Sequence, residues 1–143
     1  MPAATHSESG GGNSPLKRFT SVQSALSRIP RPNPLRPDPM HDPTTVAFAP
    51  DKYVTPWDAT KILPRAMTTS GGQNYHPSGK RDFTLREYAA LQGFPQGHIF
   101  KGRYVKKQIG NAVPPCGAKV LFESIKRDLD AADGVEEDAE LIE

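Results

Sequence analysis

Proline decides most of what this chain can become. Fifteen Pro and twelve Gly in 143 residues put Pro at about twice its ordinary share of roughly 5%. The prolines crowd between Pro30 and Pro64. Each fixes φ near about −65° and removes an amide donor, so this stretch is expected to be loop-rich rather than built of long helices or inner strands. From Arg31 to Pro43 five prolines forbid regular hydrogen bonding, and the segment reads as an extended connector. A large regular core is excluded.

Regular structure is expected on either side of that stretch. The first fifteen residues are rich in Gly and Ser without apolar periodicity and read as disordered. A short helix is predicted from about Ser21 to Arg28. Val22, Ala25 and Leu26 share one side, Ser21 or Thr20 caps the start, and Pro30 stops it. Between residues 44 and 79, Thr44–Phe48 and Ala66–Ser70 have the β-branched content of short strands, and Gly71-Gly72 signals a turn. Trp57 between them is expected to anchor a core.

The sharpest local signal begins at Phe83. Thr84 and Glu87 make a T-x-x-E capping box: the hydroxyl accepts from the third helical amide while the carboxylate reaches back to the cap amide. Phe83 and Tyr88 can close as a hydrophobic staple, Gly93 can end the helix in the left-handed conformation, and Pro95 blocks its resumption. A helix from Leu85 to Gln92 follows. A basic loop with Lys101, Arg103, Lys106 and Lys107 then leads to Gln108–Pro115, where Gly110 and Asn111 are expected to take positive φ in a tight turn. The last helix is predicted from about Gly117 to Ala131, ended by Gly134. Its stripe of Ala118, Phe122, Ile125 and Leu129, with Leu121 beside it, needs something to cover it.

Charge is divided along the chain. All 18 Lys and Arg lie within residues 1–127 beside eight acids, a surplus of ten positive charges, whereas residues 128–143 hold eight acids and no base. A basic body suits a polyanion, because Lys and Arg release counterions when they neutralise phosphates. Cys116 stands alone, so there is no internal disulfide, and the four His lack ligand spacing, so no metal is expected. Cys116 itself reads as a small apolar residue at a helix start. No apolar window is long enough to span a bilayer and Met1 opens no signal sequence, so a soluble, intracellular protein is expected, with no membrane partner.

Two strings carry a family resemblance: Arg81-Asp82-Phe83-Thr84-Leu85-Arg86-Glu87-Tyr88-Ala89-Ala90-Leu91-Gln92-Gly93-Phe94-Pro95 and Gln108-Ile109-Gly110-Asn111-Ala112-Val113-Pro114-Pro115. In order and spacing they resemble the last two conserved blocks, nine and ten, of DNA (cytosine-5) methyltransferases. The family's Gly-rich cofactor loop, Pro-Cys nucleophile loop and Glu-Asn-Val block have no counterpart here, so no catalytic residue is assigned.

The resemblance implies an α+β, loop-rich fold: a small target-recognition region and a C-terminal helix that would pack on a Rossmann-like lobe absent from this chain. The expected divisions are a disordered 1–15, a partial target-recognition domain over 16–79, blocks nine and ten over 80–131, and a disordered acidic tail over 132–143. It further implies that Asn111, Ala112 and Val113 line part of the pocket for S-adenosylmethionine. Thr68 would contact the backbone of double-stranded DNA, with Lys61 and Arg65 as further DNA candidates. Arg81, Thr84, Arg86, Glu87 and Gly93 are structural members of block nine. A eukaryotic member of the family would reside in the nucleus. Three readings stay open: the C-terminal portion of such an enzyme, inactive alone; a subunit of a split enzyme whose partner supplies the lobe in trans; and a stand-alone DNA-binding module.

Overall fold

The computed structural model describes residues 4, 6–7, 10–11 and 17–134. Two very short strands, β1 (His6–Ser7) and β2 (Lys17–Arg18), pair in parallel, His6 with Lys17 and Ser7 with Arg18. This ladder puts regular structure at two positions of a segment whose composition reads as disordered. The remainder of residues 1–15, and the acidic tail from residue 135 onward, lie outside the described residues.

Helix α1 (Val22–Leu26) starts where the Ser21 side chain accepts from the Ser24 amide at 3.1 Å. Its first amides find loop partners, Val22 N donating to Lys61 O at 2.9 Å and Gln23 N to Ala59 O at 2.8 Å. The start of a helix leaves such donors unpaired, and here they tie the 59–61 loop to α1. Val22 and Ala25 face inward and are buried.

The connector after Pro30 holds itself with local side-chain bonds in place of a ladder. Leu35 N donates to Asn33 Oδ1 and Met40 N to Asp38 Oδ1, both at 2.9 Å. The expected strand at Thr44–Phe48 does not form. Pro43–Val46 is a 3-10 turn, because Pro43 presets φ and the Asp42 carboxylate accepts from both the Thr44 amide (2.9 Å) and its hydroxyl (2.6 Å). Only a single antiparallel bridge remains there, Ala47 to Arg81. Nor is Ala66–Ser70 a strand. It enters a turn closed by Gly71 N donating to Thr68 O at 2.9 Å, with Gly71 and Gly72 at φ +94° and +66°. β-branched content favours strands only where a partner edge is at hand.

Helix α2 (Leu85–Leu91) has both halves of the expected capping box. Glu87 N donates to Thr84 Oγ1 (3.2 Å) and Thr84 N to Glu87 Oε2 (2.9 Å). Phe83 and Tyr88 meet edge to face at 5.4 Å, and Gly93 at φ +86° ends the helix. The buried core is Val22, Phe83, Tyr88, Ala89 and Ile109, with Trp57, Leu63, Met67 and Phe94 packed around it. Trp57 is thus the core anchor the sequence predicts. Its indole donates to Tyr75 O at 3.1 Å.

Block ten departs from expectation. Val105–Asn111 is a helix, α3, begun at Tyr104 in the left-handed region (φ 61°), and neither Gly110 nor Asn111 has positive φ. Gly110 is required for space instead. A Cβ there would overlap the Thr68 carbonyl oxygen and stand 2.5 Å from its carbon and 2.6 Å from Thr69 Cα. The last helix, α4 (Pro115–Ala132), begins two residues earlier than predicted because Pro115 suits a first helical position. α1 packs on α2 and α2 on α3, whereas α4 packs on no other described helix or strand. The described residues form a loop-rich mixture of helices and one minimal strand pair.

Candidate functional site

Block nine is organised by a forked ion pair. Arg81 Nη1 and Nη2 donate to Glu87 Oε2 and Oε1 at 2.7 and 2.8 Å, with the Glu87 side chain 5% exposed. Burial alone would raise the Glu87 pKa. Hydrogen bonds from Arg81 and the Thr84 amide, with the Arg81 charge, outweigh it and hold the carboxyl below its ordinary value. Glu87 is therefore an ionised cap with its acceptors engaged. Next to it, burial and then the Arg81 charge lower the His76 pKa against the pull of Glu87.

A second cluster joins the 68–74 turn to both blocks. The Tyr88 hydroxyl donates to Asp82 Oδ1 at 2.6 Å, and Lys106 from α3 reaches Asp82 Oδ2 at 3.0 Å while lying 4.7 Å over the Tyr88 ring. Burial, then the Asp82 hydrogen bond and charge, keep the Tyr88 hydroxyl protonated far above its ordinary range. Gly71 fills the remaining space, since a Cβ there would stand 2.5 Å from the Tyr88 hydroxyl and 3.0 Å from Lys106 Cε. Arg86 forms the third joint. Its Nε donates to Asp38 Oδ2 at 2.7 Å, and its Nη1 to Gln96 O and His98 O at 3.2 and 3.3 Å.

The three residues assigned to the methyl donor sit together at the end of α3: Asn111 as its last residue, Ala112 as its cap, Val113 immediately after. Gln92, at the end of α2, fixes them. Its Nε2 donates to Ile109 O at 3.0 Å and to Ala112 O at 2.7 Å. Sequence reading missed Gln92 because these bonds span 17 and 20 residues, and no local spacing signals them. Asn111 and Val113 are exposed and Ala112 is half-buried, an open wall rather than an enclosed cavity.

Of the three DNA candidates, Thr68 is exposed, its hydroxyl 3.2 Å from that of Ser70, and its carbonyl lies beneath Gly110. The structure thus brings Thr68 against the residue preceding Asn111. Lys61 stands elsewhere, on a cavity of about 440 Å³ with Arg18, Phe19 and Ile62. Arg65 lies on a different cavity, of about 450 Å³, and donates to Gln73 Oε1 at 2.5 Å. Cys116 is exposed in the first turn of α4, not buried as its residue type suggests. Among the described residues no group of His, Cys, Asp or Glu could hold a metal, and no helix is long and apolar enough to cross a membrane.

The family model for C-5 cytosine-specific DNA methylase matches residues 10–127. Type II methyltransferase M.BbvI of Brevibacillus brevis is 47% identical over 64 residues, covering 41% of this chain and 17% of that protein. DNA (cytosine-5)-methyltransferase 1A of Oryza sativa subsp. japonica is 45% identical over 62 residues, 42% of this chain and 4% of its own length. Type II methylase M.HgiDII of Herpetosiphon aurantiacus is 39% identical over 84 residues, 52% and 23%. The chain spans less than a quarter of the length of these curated relatives. No solved structure matches it significantly. With the family model covering most of its length and block nine assembled around the Arg81–Glu87 fork, the chain belongs to the C-5 cytosine-specific DNA methylase family.

Proposed function

We propose that this chain is the C-terminal portion of a DNA cytosine-5 methyltransferase: a partial target-recognition region over 16–79 and blocks nine and ten over 80–131. Alone it is inactive, and it completes the enzyme with a Rossmann-like lobe supplied in cis or in trans. The observation that carries the reading is α4. Leu121, Phe122, Ile125 and Leu129 are 45%, 67%, 43% and 58% exposed, on a helix that follows directly after Asn111–Val113. An uncovered apolar stripe beside a half-built pocket is what a chain designed to dock on a lobe would present. A stand-alone DNA-binding module would leave that stripe unexplained.

In this reading S-adenosylmethionine supplies the methyl group for cytosine C5. The residues present suit one wall of its pocket. The Asn111 carboxamide has no partner among the described residues, Val113 offers exposed apolar surface, and Gln92 holds the backbone between them. Thr68, Lys61 and Arg65 contact the DNA, with the surplus of positive charge in residues 1–127 favouring phosphates. In a eukaryotic setting this work places the protein in the nucleus.

The test is reconstitution. The chain is mixed with a polypeptide carrying the Gly-rich and Pro-Cys loops, and transfer of labelled methyl groups to DNA is measured. Activity is expected from the mixture and none from either part. Phe122→Asp should abolish reconstitution while leaving the thermal unfolding of the chain unchanged. Methylation by the chain alone, or reconstitution indifferent to Phe122→Asp, would overturn the reading.

A further inference from the structure

We propose that residues 31–37 are a docking segment, bound as a polyproline II helix in an aromatic-lined, acid-rimmed groove of a partner protein, the kind of groove that SH3 domains carry. The inference goes beyond the methyltransferase reading and does not depend on it. The segment runs Arg31-Pro32-Asn33-Pro34-Leu35-Arg36-Pro37. A polyproline II helix has about three residues per turn and rises ~3.1 Å per residue. Arg31, Pro34 and Pro37 therefore fall on one edge of it, spread over ~19 Å. Such an edge suits a groove of this kind: two prolines enter successive aromatic pockets, and the cation beyond them meets the acidic rim.

Nothing in the described chain makes use of that edge. Residues 31–39 are all exposed, Leu35 to 90%, and neither the Arg31 nor the Arg36 guanidinium has a partner among the described residues. The nearest acid, Asp38, is taken by Arg86, which leaves both arginines uncompensated. The connector curls around a cavity of about 780 Å³ bordered only by residues between Ile29 and Thr45, so the body of the chain does not fill the curl. Its two ends are held, Ile29 N donating to Leu26 O at 3.1 Å and Arg86 N to Met40 O at 3.0 Å. One feature between them opposes the bound form. Leu35 N donates to Asn33 Oδ1 at 2.9 Å and Arg36 N to Asn33 O at 3.0 Å, folding 33–36 into a turn. The groove selects the open form, and affinity falls by the fraction of chains in which the turn is closed. A polyanion would also take the two arginines, but prolines three residues apart serve it no purpose.

A panel of isolated, isotope-labelled SH3 domains with acid-rimmed grooves is titrated with the full chain, and nuclear magnetic resonance follows the aromatic residues of each groove. Saturable shifts confined to the groove are expected. Pro37→Ala, at an exposed position, should leave thermal unfolding of the chain unchanged and weaken binding roughly tenfold, the loss of one anchoring side chain. Asn33→Pro should act in the opposite direction. The Asn33 amide donates to nothing among the described residues, and the ring removes the Oδ1 acceptor that helps to close the turn. Binding should tighten roughly fivefold, the net worth of one hydrogen bond. Arg31→Ala should weaken binding more at low salt than at high. Groove shifts with no member of the panel, a Pro37→Ala variant that binds like wild type, or an Asn33→Pro variant that binds no tighter overturns the inference. Binding that needs Arg31 but not Pro37 overturns it too, in favour of a polyanion. None of these outcomes bears on the methyltransferase reading, which is decided by reconstitution.

Discussion

Gly110→Ala adds one methyl group inside a seven-residue helix, where local propensity alone would stabilise by about 1 kcal/mol. The surroundings reverse the sign. The new Cβ would overlap Thr68 O and stand 2.5 Å from Thr68 C and 2.6 Å from Thr69 Cα, whereas carbon atoms rest about 3.5–4.0 Å apart. The opposing atoms are backbone, so no rotamer change relieves the overlap, and α3 must retreat from the 68–69 turn by about 1 Å. Overpacking of this kind costs roughly 1–3 kcal/mol, and a rigid neighbour puts it at the upper end. The net loss is about 2 kcal/mol after the gain in propensity, or a fall of roughly 8 °C in the midpoint for a chain this size. Thermal unfolding followed by circular dichroism measures it, with Gly117→Ala as the control. Gly117 is also helical but has nothing within 4 Å of its added Cβ, so that variant should hold or raise the midpoint. A Gly110→Ala variant that melts at or above wild type would refute the reasoning.

Glu87→Gln keeps the side-chain acceptor for the Thr84 amide but leaves Arg81 unmatched. Because the pair is largely buried, a loss of about 3 kcal/mol is expected in denaturant unfolding. Stability should fall in acid in two stages. His76, with its pKa lowered in the folded state, favours folding above about 6.5 and loses that contribution as the pH drops further. Glu87, also lowered, withdraws its share only as the pH falls below its ordinary value of 4.5. A flat unfolding midpoint between pH 7 and pH 4 would contradict this assignment. Arg86→Ala should free the connector from α2, so the Leu35 and Met40 amides should exchange hydrogen several-fold faster than in wild type. Unchanged exchange would mean that Asp38 is not the joint.

What could be read in the sequence was local. The capping box at Thr84 and Glu87, the stop at Gly93 and the stripe on α4 all follow from spacings of three to five residues, which a helix imposes whatever surrounds it. The strands expected at Thr44–Phe48 and Ala66–Ser70 failed because strands need partners. Asp42 and Pro43 captured the first segment into a 3-10 turn, and the paired glycines folded the second back on itself. Gly110 shows the other kind of miss. Its residue type rightly signals close approach, but whether through positive φ or through a missing Cβ depends on Thr68, 42 positions away. The Gln92 bridge and the Arg86–Asp38 joint were invisible for the same reason. Each joins residues whose neighbourhood exists only after the loop between them has closed.

The seating of Gly110 on the Thr68 carbonyl has a mechanical consequence. With backbone pressed on backbone, no soft side chain lies between the turn assigned to DNA and the wall assigned to the methyl donor, so neither can shift while the other stays. Any displacement of one part that a ligand favours is then shared by the other, and a coupling that arises this way is reciprocal: whatever factor the first ligand lends to the second, the second returns.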